Sequence, residues 1–177
     1  DDKRGWMFSA EVNVLENISK IENTGIPLGH LVDIKNGFAT LKNDIFVFRP
    51  NCEDDNFFYF TKDSKEYCVE KGICRATVKP NTLSEDMPLK EQMEWLIFPY
   101  MYEGKNVVVM KQEVILQKYP KAYAYLCGYK EQLSLRDKGT RQYQEWYAYG
   151  RTQALNIKGY KLLFPYLAPK PKFILSV

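Results

Sequence analysis

A single histidine, His30, serves the whole chain of 177 residues. With one imidazole and no G-x-S-x-G elbow, a Ser-His or Cys-His nucleophilic pair finds little support. Neither G-x-G-x-x-G nor G-x-x-x-x-G-K-[ST] occurs, so there is no standard nucleotide loop. The four cysteines, Cys52, Cys68, Cys74 and Cys127, stand at irregular gaps without a C-x-x-C pair. That spacing argues against a zinc site. A chain of this size needs no disulfide framework, and buried or half-buried free thiols are expected. Apolar runs are short. The longest, WLIFPYMY at 95–102, is broken by Pro99 and falls well below the roughly 18 residues of a membrane helix. DDKRGWMF at the start has no apolar signal-peptide core. These absences predict a cytoplasmic protein with no metal site and no membrane partner. The acidic clusters at 53–55 and 85–86 read as solvated turns, since a nuclease needs carboxylates joined in space, commonly around a metal.

What is present points elsewhere. Hydrophobic residues make up 45% of the chain, enough for a core, and aromatics 15%, with 13 tyrosines. No linker or repeat divides the sequence, so one domain over 1–177 is expected. The net charge of +3 hides an asymmetry. Residues 1–103 hold 12 basic and 18 acidic side chains, whereas 104–177 hold 13 basic and 4 acidic. Nine tyrosines lie between 119 and 166. A basic, tyrosine-rich half suits a phosphate-rich partner. The competing account is a solvated basic face over a tyrosine-rich core.

The periodicity mixes strands and helices without βαβ order, so the predicted class is α+β. NGFATLKND, with Gly37, Thr40, Lys42 and Asn43, reads as a polar turn before a strand DIFVF. FFYF at 57–60 reads as a strand, and 66–78 as strand or short helix. WLIFPYMY and NVVVM around EGK read as a hairpin. PKAYAYLCGYKEQLSLRDKG reads as the clearest helix, with Pro120 near its start and Gly139 just past its end. Ala122, Tyr125, Leu126, Tyr129 and Leu133 give it an apolar face. Lys130, Arg136 and Lys138 then suit the negative end of its dipole. KLLFPYL and KFILSV read as strands.

One stretch resists this reading. EWYAYGRTQAL, 145–155, packs three rings, a glycine, an arginine, a threonine and a glutamine into eleven positions, with no period of two. Gly150 inside a helix would cost about 1 kcal/mol relative to alanine. A loop is the better expectation, with Gly150 allowing a close backbone approach.

Taken in order, NGFATLKNDIFVF, WLIFPY with its hairpin, YPKAYAYLCGYKEQLSLRDKG, and WYAYGRTQAL followed by KLLFPYLAPKPKF resemble the TaqI-like target recognition domain of N6-adenine DNA methyltransferases. That family includes type II restriction-modification enzymes that fuse nuclease and methylase. The resemblance spans about 26–174. It implies a sequence-specific double-stranded DNA recognition module excised from a larger enzyme. The chemistry would sit in a separate Rossmann-like domain that binds S-adenosylmethionine and grips the adenine with an Asn-Pro-Pro-Tyr type motif. This chain has no Pro-Pro pair. It is expected to hold no cofactor and, alone, neither to methylate nor to cleave DNA.

The resemblance assigns DNA contact to Thr40, Lys42 and Asn43 in the first loop, and to Tyr149, Arg151, Thr152 and Gln153 in the second. Lys158 and Lys161 follow as phosphate partners. Arginine can bridge guanine O6 and N7, and glutamine adenine N6 and N7. Trp146, Tyr147 and Tyr149 would fix the second loop on the core. The plainer alternative has Arg151 capping a helix or pairing with a carboxylate, and Gln153 satisfying backbone groups. A stand-alone specificity subunit and a protein- or glycan-binding domain with a tyrosine-rich surface are the other readings.

Overall fold

The structure, a computed structural model, describes residues 12–84, 86–157, 159–165, 170 and 172–176. The chain forms two compact units, Asp1–Asn36 and Gly37–Val177.

In the first unit, helix α1 (Val12–Glu22) has no counterpart among the expected elements. None of its residues is buried. Thr24 Oγ1 donates to Lys20 O at 2.5 Å, and Gly25 takes φ +78° just beyond the helix. A 3₁₀ turn follows at Leu28–His30.

The second unit is α+β, built from small antiparallel sheets and short helices. A helical turn α2 (Asn43–Phe46) runs into strand β1 (Val47–Phe48). The expected strand DIFVF is thus half helical. The cause is local: Thr40 Oγ1 accepts from Lys42 N at 3.1 Å and donates to Asn43 Oδ1 at 2.5 Å, which winds the chain into a turn. Strands β2 (Cys52–Glu53), β3 (Phe57–Lys62) and β4 (Lys65–Glu70) form a meander. The β3–β4 turn places Asp63 and Ser64 both at positive φ, the conformation a two-residue hairpin favours. The ambiguous segment 66–78 resolves into β4, a 3₁₀ turn at Lys71–Ile73, and strand β5 (Cys74–Thr77).

Strand β6 (Glu94–Ile97) is the centre of a second sheet, ordered β1-β6-β5. The hairpin β7 (Tyr100–Glu103) and β8 (Asn106–Val109) turns at Gly104, φ +62°, as expected. Helix α3 (Gln112–Lys118) precedes α4 (Pro120–Gly128). Glu70, at the end of β4, reaches the first turn of α4. Its carboxylate oxygens accept from Lys121 N at 2.8 Å and Ala122 N at 2.9 Å. Two otherwise unpaired helix donors are thereby satisfied by an anion at the positive end of the dipole.

The single helix expected over 120–138 is three pieces. After α4 the chain breaks at Tyr129 (φ −116°, ψ 13°) and resumes as α5 (Lys130–Ser134). A 3₁₀ turn at Arg136–Gly139 follows, with Asp137 and Lys138 both left-handed. Gly128 weakens the helix before the break. At the far end Arg136 is drawn inward, so helix geometry is lost there. Strands β9 (Lys161–Leu163) and β10 (Ile174–Ser176) pair antiparallel, within the two runs expected as strands in the tail; Tyr166, Leu167 and Val177 of those runs lie outside the described residues.

The core is aromatic. Phe48 stacks on Phe60 at 4.2 Å, and Phe58 meets Trp95 at 4.3 Å. Tyr125 of α4 sets its edge against Phe60 and Tyr67, which docks the helix on the β2-β3-β4 sheet. Tyr100, Tyr125, Tyr129, Tyr147 and Tyr149 are all buried. The tyrosines therefore serve mainly the interior, where rings supply large buried area and the hydroxyl needs a partner. The cysteines are all free: Cys74 is buried and Cys68 half-buried, but Cys52 and Cys127 are exposed. For those last two the expected burial is corrected.

Candidate nucleic-acid interface

The two loops named from the sequence meet. Ala39 and Arg151 form an isolated antiparallel bridge, Ala39 N to Arg151 O at 3.0 Å and Arg151 N to Ala39 O at 2.9 Å. The segment 39–43 therefore lies beside 149–153. Next to the bridge Gly150 is buried against Leu41, and a Cβ at that position would run into Leu41 Cδ1 and Cγ. The expected close approach is what Gly150 provides. Leu41 itself takes φ +61°.

Rings anchor the second loop from below. Tyr147 is fully buried, and its hydroxyl donates to Met110 O at 2.7 Å. Tyr149 is 2% exposed; its hydroxyl donates to Ile97 O, and its backbone N–H donates to Tyr100 Oη at 2.6 Å. Burial drives the Tyr149 hydroxyl well above the ordinary tyrosine range and that of Tyr100 to about 12. Both stay neutral donors and acceptors at physiological pH.

Among the described residues two polar side chains are buried, Thr40 and Arg136, and they belong to one cluster. Arg136 Nη1 donates to Thr40 O at 3.0 Å and Ala148 O at 2.7 Å. Nη2 donates to Trp146 O at 2.7 Å, and Nε to Leu133 O at 2.7 Å. The ring of Tyr143 covers the guanidinium at 4.4 Å. Burial lowers the arginine's pKa. Arg141, more exposed, donates to Gly150 O and faces Asp137 at 3.9 Å. The helix-dipole role expected for Arg136 is thus replaced by a backbone clamp. The sequence signal for it was only a basic residue at the end of an apolar pattern.

The expected contact residues divide by exposure. Arg151, Thr152, Gln153 and Asn43 are exposed, and Lys42 is half-buried. Thr40 and Tyr149 have no accessible side chain to offer; they shape the loops from inside. Lys161 is exposed on β9, with Nζ on Gly159 O at 3.3 Å. Lys158 lies outside the described residues. After Glu145 the sequence has no acidic residue, so Arg151 and Lys161 stand in a stretch of unopposed positive charge. Exposed cations with amide and hydroxyl groups between them can engage phosphates and base edges. Among the described residues no group of three or more His, Cys, Asp and Glu is placed to hold a metal. No helix there is long and apolar enough to cross a membrane.

No family model and no solved structure matches the chain. The type II restriction enzyme and methyltransferase RM.Eco57I of Escherichia coli is similar to it, at 26% identity over 164 residues. The match covers 87% of this chain but 16% of that protein. The chain is thus distantly related to one segment of a restriction-methyltransferase fusion.

Proposed function

We propose that the unit 37–177 is a double-stranded DNA recognition module of a site-specific adenine-N6 methyltransferase or restriction-modification enzyme, of the TaqI-like target recognition kind. The observation that carries this reading is the Ala39–Arg151 bridge. It joins the two loops assigned to DNA and leaves Asn43, Arg151, Thr152 and Gln153 on the surface. An adenine inside a duplex has to be flipped out to be methylated, so a second surface must hold the flanking base pairs. Lys42, Arg151 and Lys161 would take phosphates, with Lys158 of the same basic stretch. Asn43, Thr152 and Gln153 supply the polar groups that base edges require.

S-adenosylmethionine would bind the catalytic domain, with which this module would act in cis or as a separate specificity subunit. The cavity lined by Gly72, Arg75, Phe98, Tyr102 and Tyr119 holds about 210 Å³. That is below the roughly 300–1,000 Å³ of typical cofactor pockets.

The test is titration of the chain against random-sequence duplexes at several salt concentrations. Binding whose log K falls steeply with log salt is expected. Absence of binding at low salt, both for this chain and for one joined to a catalytic domain, overturns the reading.

A second reading, a protein-binding domain, has its own observation. On the terminal hairpin Leu162 pairs with Leu175, so alternation sets Tyr160, Leu162, Phe164, Phe173 and Leu175 on one face, all exposed. Salt-insensitive capture of a protein, with no duplex binding, would favour it.

A further inference from the structure

The bridge between the two loops is only two hydrogen bonds. An isolated pair of this size does not hold itself together in water. Something beneath must fix it.

We propose that Arg136 is the positioning residue of this face: its buried guanidinium, bonded to the carbonyls of Thr40, Trp146 and Ala148, sets the placement in which Lys42 and Arg151 are displayed. The effect on DNA rests on the recognition reading above; the effect on the loops does not.

The geometry is that of a missing strand. The carbonyls of Trp146, Ala148 and Gly150 alternate along the second loop. Arg136 takes the first two and Arg141 the third. The left-handed residues Asp137 and Lys138 bend the chain between the two arginines. Arg136 reaches the first loop through Thr40 O, the residue after the bridging Ala39. One side chain therefore spans both partners of the bridge and the end of α5. Burying a charge is costly unless it is fully hydrogen-bonded. Here four carbonyls and the Tyr143 ring do that work, while the Asp137 carboxylate is turned to Arg141 and to the Tyr143 hydroxyl, which donates to it at 2.8 Å. A planar fork suits this task, and a lysine ammonium on a flexible stem does not. With a 3% exposed side chain, Arg136 acts through Arg151 and Lys42 and does not touch the duplex itself.

The test uses the full chain and Arg136→Lys. Amide exchange is read at Ala39 and Arg151, and at the β3–β4 hairpin as an internal control. We expect protection at Ala39 and Arg151 to fall on the order of ten-fold or more, with the hairpin amides unchanged. Duplex affinity should drop about ten-fold, and adding Arg136→Lys to the variant Lys42→Ala/Arg151→Ala should weaken binding no further. Wild-type protection at both bridge amides, or additive affinity losses, overturns the proposal. If neither the wild-type chain nor one joined to a catalytic domain binds duplex, the recognition reading fails and the amide result alone decides the positioning role. If Arg136→Lys does not fold, the wild-type guanidinium protons decide. Slowly exchanging Nη signals with cross-peaks to residues 40, 146 and 148 support the clamp, and averaged, solvent-exchanging signals refute it.

Discussion

Ala39 and Arg151 exchange both backbone hydrogen bonds, at 3.0 and 2.9 Å, although they stand far apart in the sequence of the unit Gly37–Val177. The link is main-chain, so the Arg151 side chain is free to be removed without breaking it. In Arg151→Ala the melting temperature should stay near wild type, a change within about 0.5 kcal/mol. Duplex affinity should fall about ten-fold, and the slope of log K on log salt should become shallower by about one. Fluorescence anisotropy across a salt series checks both. Unchanged affinity in a folded variant removes Arg151 from the interface.

Gly150→Ala is expected to push against Leu41 and strain the same bridge. Overpacking of this kind costs roughly 1–3 kcal/mol. Because Leu41 is partly exposed, Gly150→Ala/Leu41→Ala should recover most of the loss. Chemical denaturation of the two single variants and the double variant measures it. A double variant no more stable than Gly150→Ala would mean that backbone, not Leu41, is the obstacle.

Tyr147→Phe keeps the ring and deletes the hydroxyl that donates to Met110 O at 2.7 Å. The buried carbonyl would lose its partner, at a cost of about 1–2 kcal/mol. Urea unfolding should show a lower midpoint with an unchanged slope.

Alkali should unfold the protein early. Burial raises Cys74 from 9.0 and Tyr100 from 10.0, each to about 12, and shifts Tyr149 upward too. A folded pKa above the unfolded one contributes stability that is complete below the unfolded value. That stability is lost as pH rises through the folded value. The melting temperature should therefore decline between about pH 9 and 12, and the part of the tyrosinate absorbance that belongs to the buried rings should rise only with unfolding. Complete tyrosinate formation before loss of near-ultraviolet circular dichroism would contradict the buried placement of these rings.

Glu70→Ala should cost about 1 kcal/mol, the usual effect of losing a cap. The loss should appear as faster amide exchange at Lys121 and Ala122.

Elements that follow from short-range pattern were legible. The β3 run FFYF alternates buried and exposed along the strand, and the EGK turn closes where glycine permits φ +62°. Elements set by particular side-chain hydrogen bonds, near or far, were not. DIFVF looks like a strand, yet Thr40 and Asn43 wind its start into a turn. The pattern over 120–138 looks like one helix, yet Arg136 is drawn off its end by carbonyls at 40, 146 and 148. Val14, Leu15, Ile18 and Ile21 stand at helical spacing, a signal for α1 that was open to reading, whereas the run Val114–Leu116 gave α3 no period.

By itself the sequence determined the α+β class, the aromatic core and the lopsided charge, because composition and local period depend on no distant contact. It also marked 145–155 as a stretch that fits neither a helix nor a strand, and NGFATLKND as a polar turn. Only the tertiary structure decided that these loops are neighbours, that Tyr149 and Thr40 face inward while Arg151 and Gln153 face out, and that Arg136 sits beneath them. The physical reason is that backbone carbonyls carry no sequence label. An arginine that will bind three of them from two distant segments looks, in the chain, like any other surface cation.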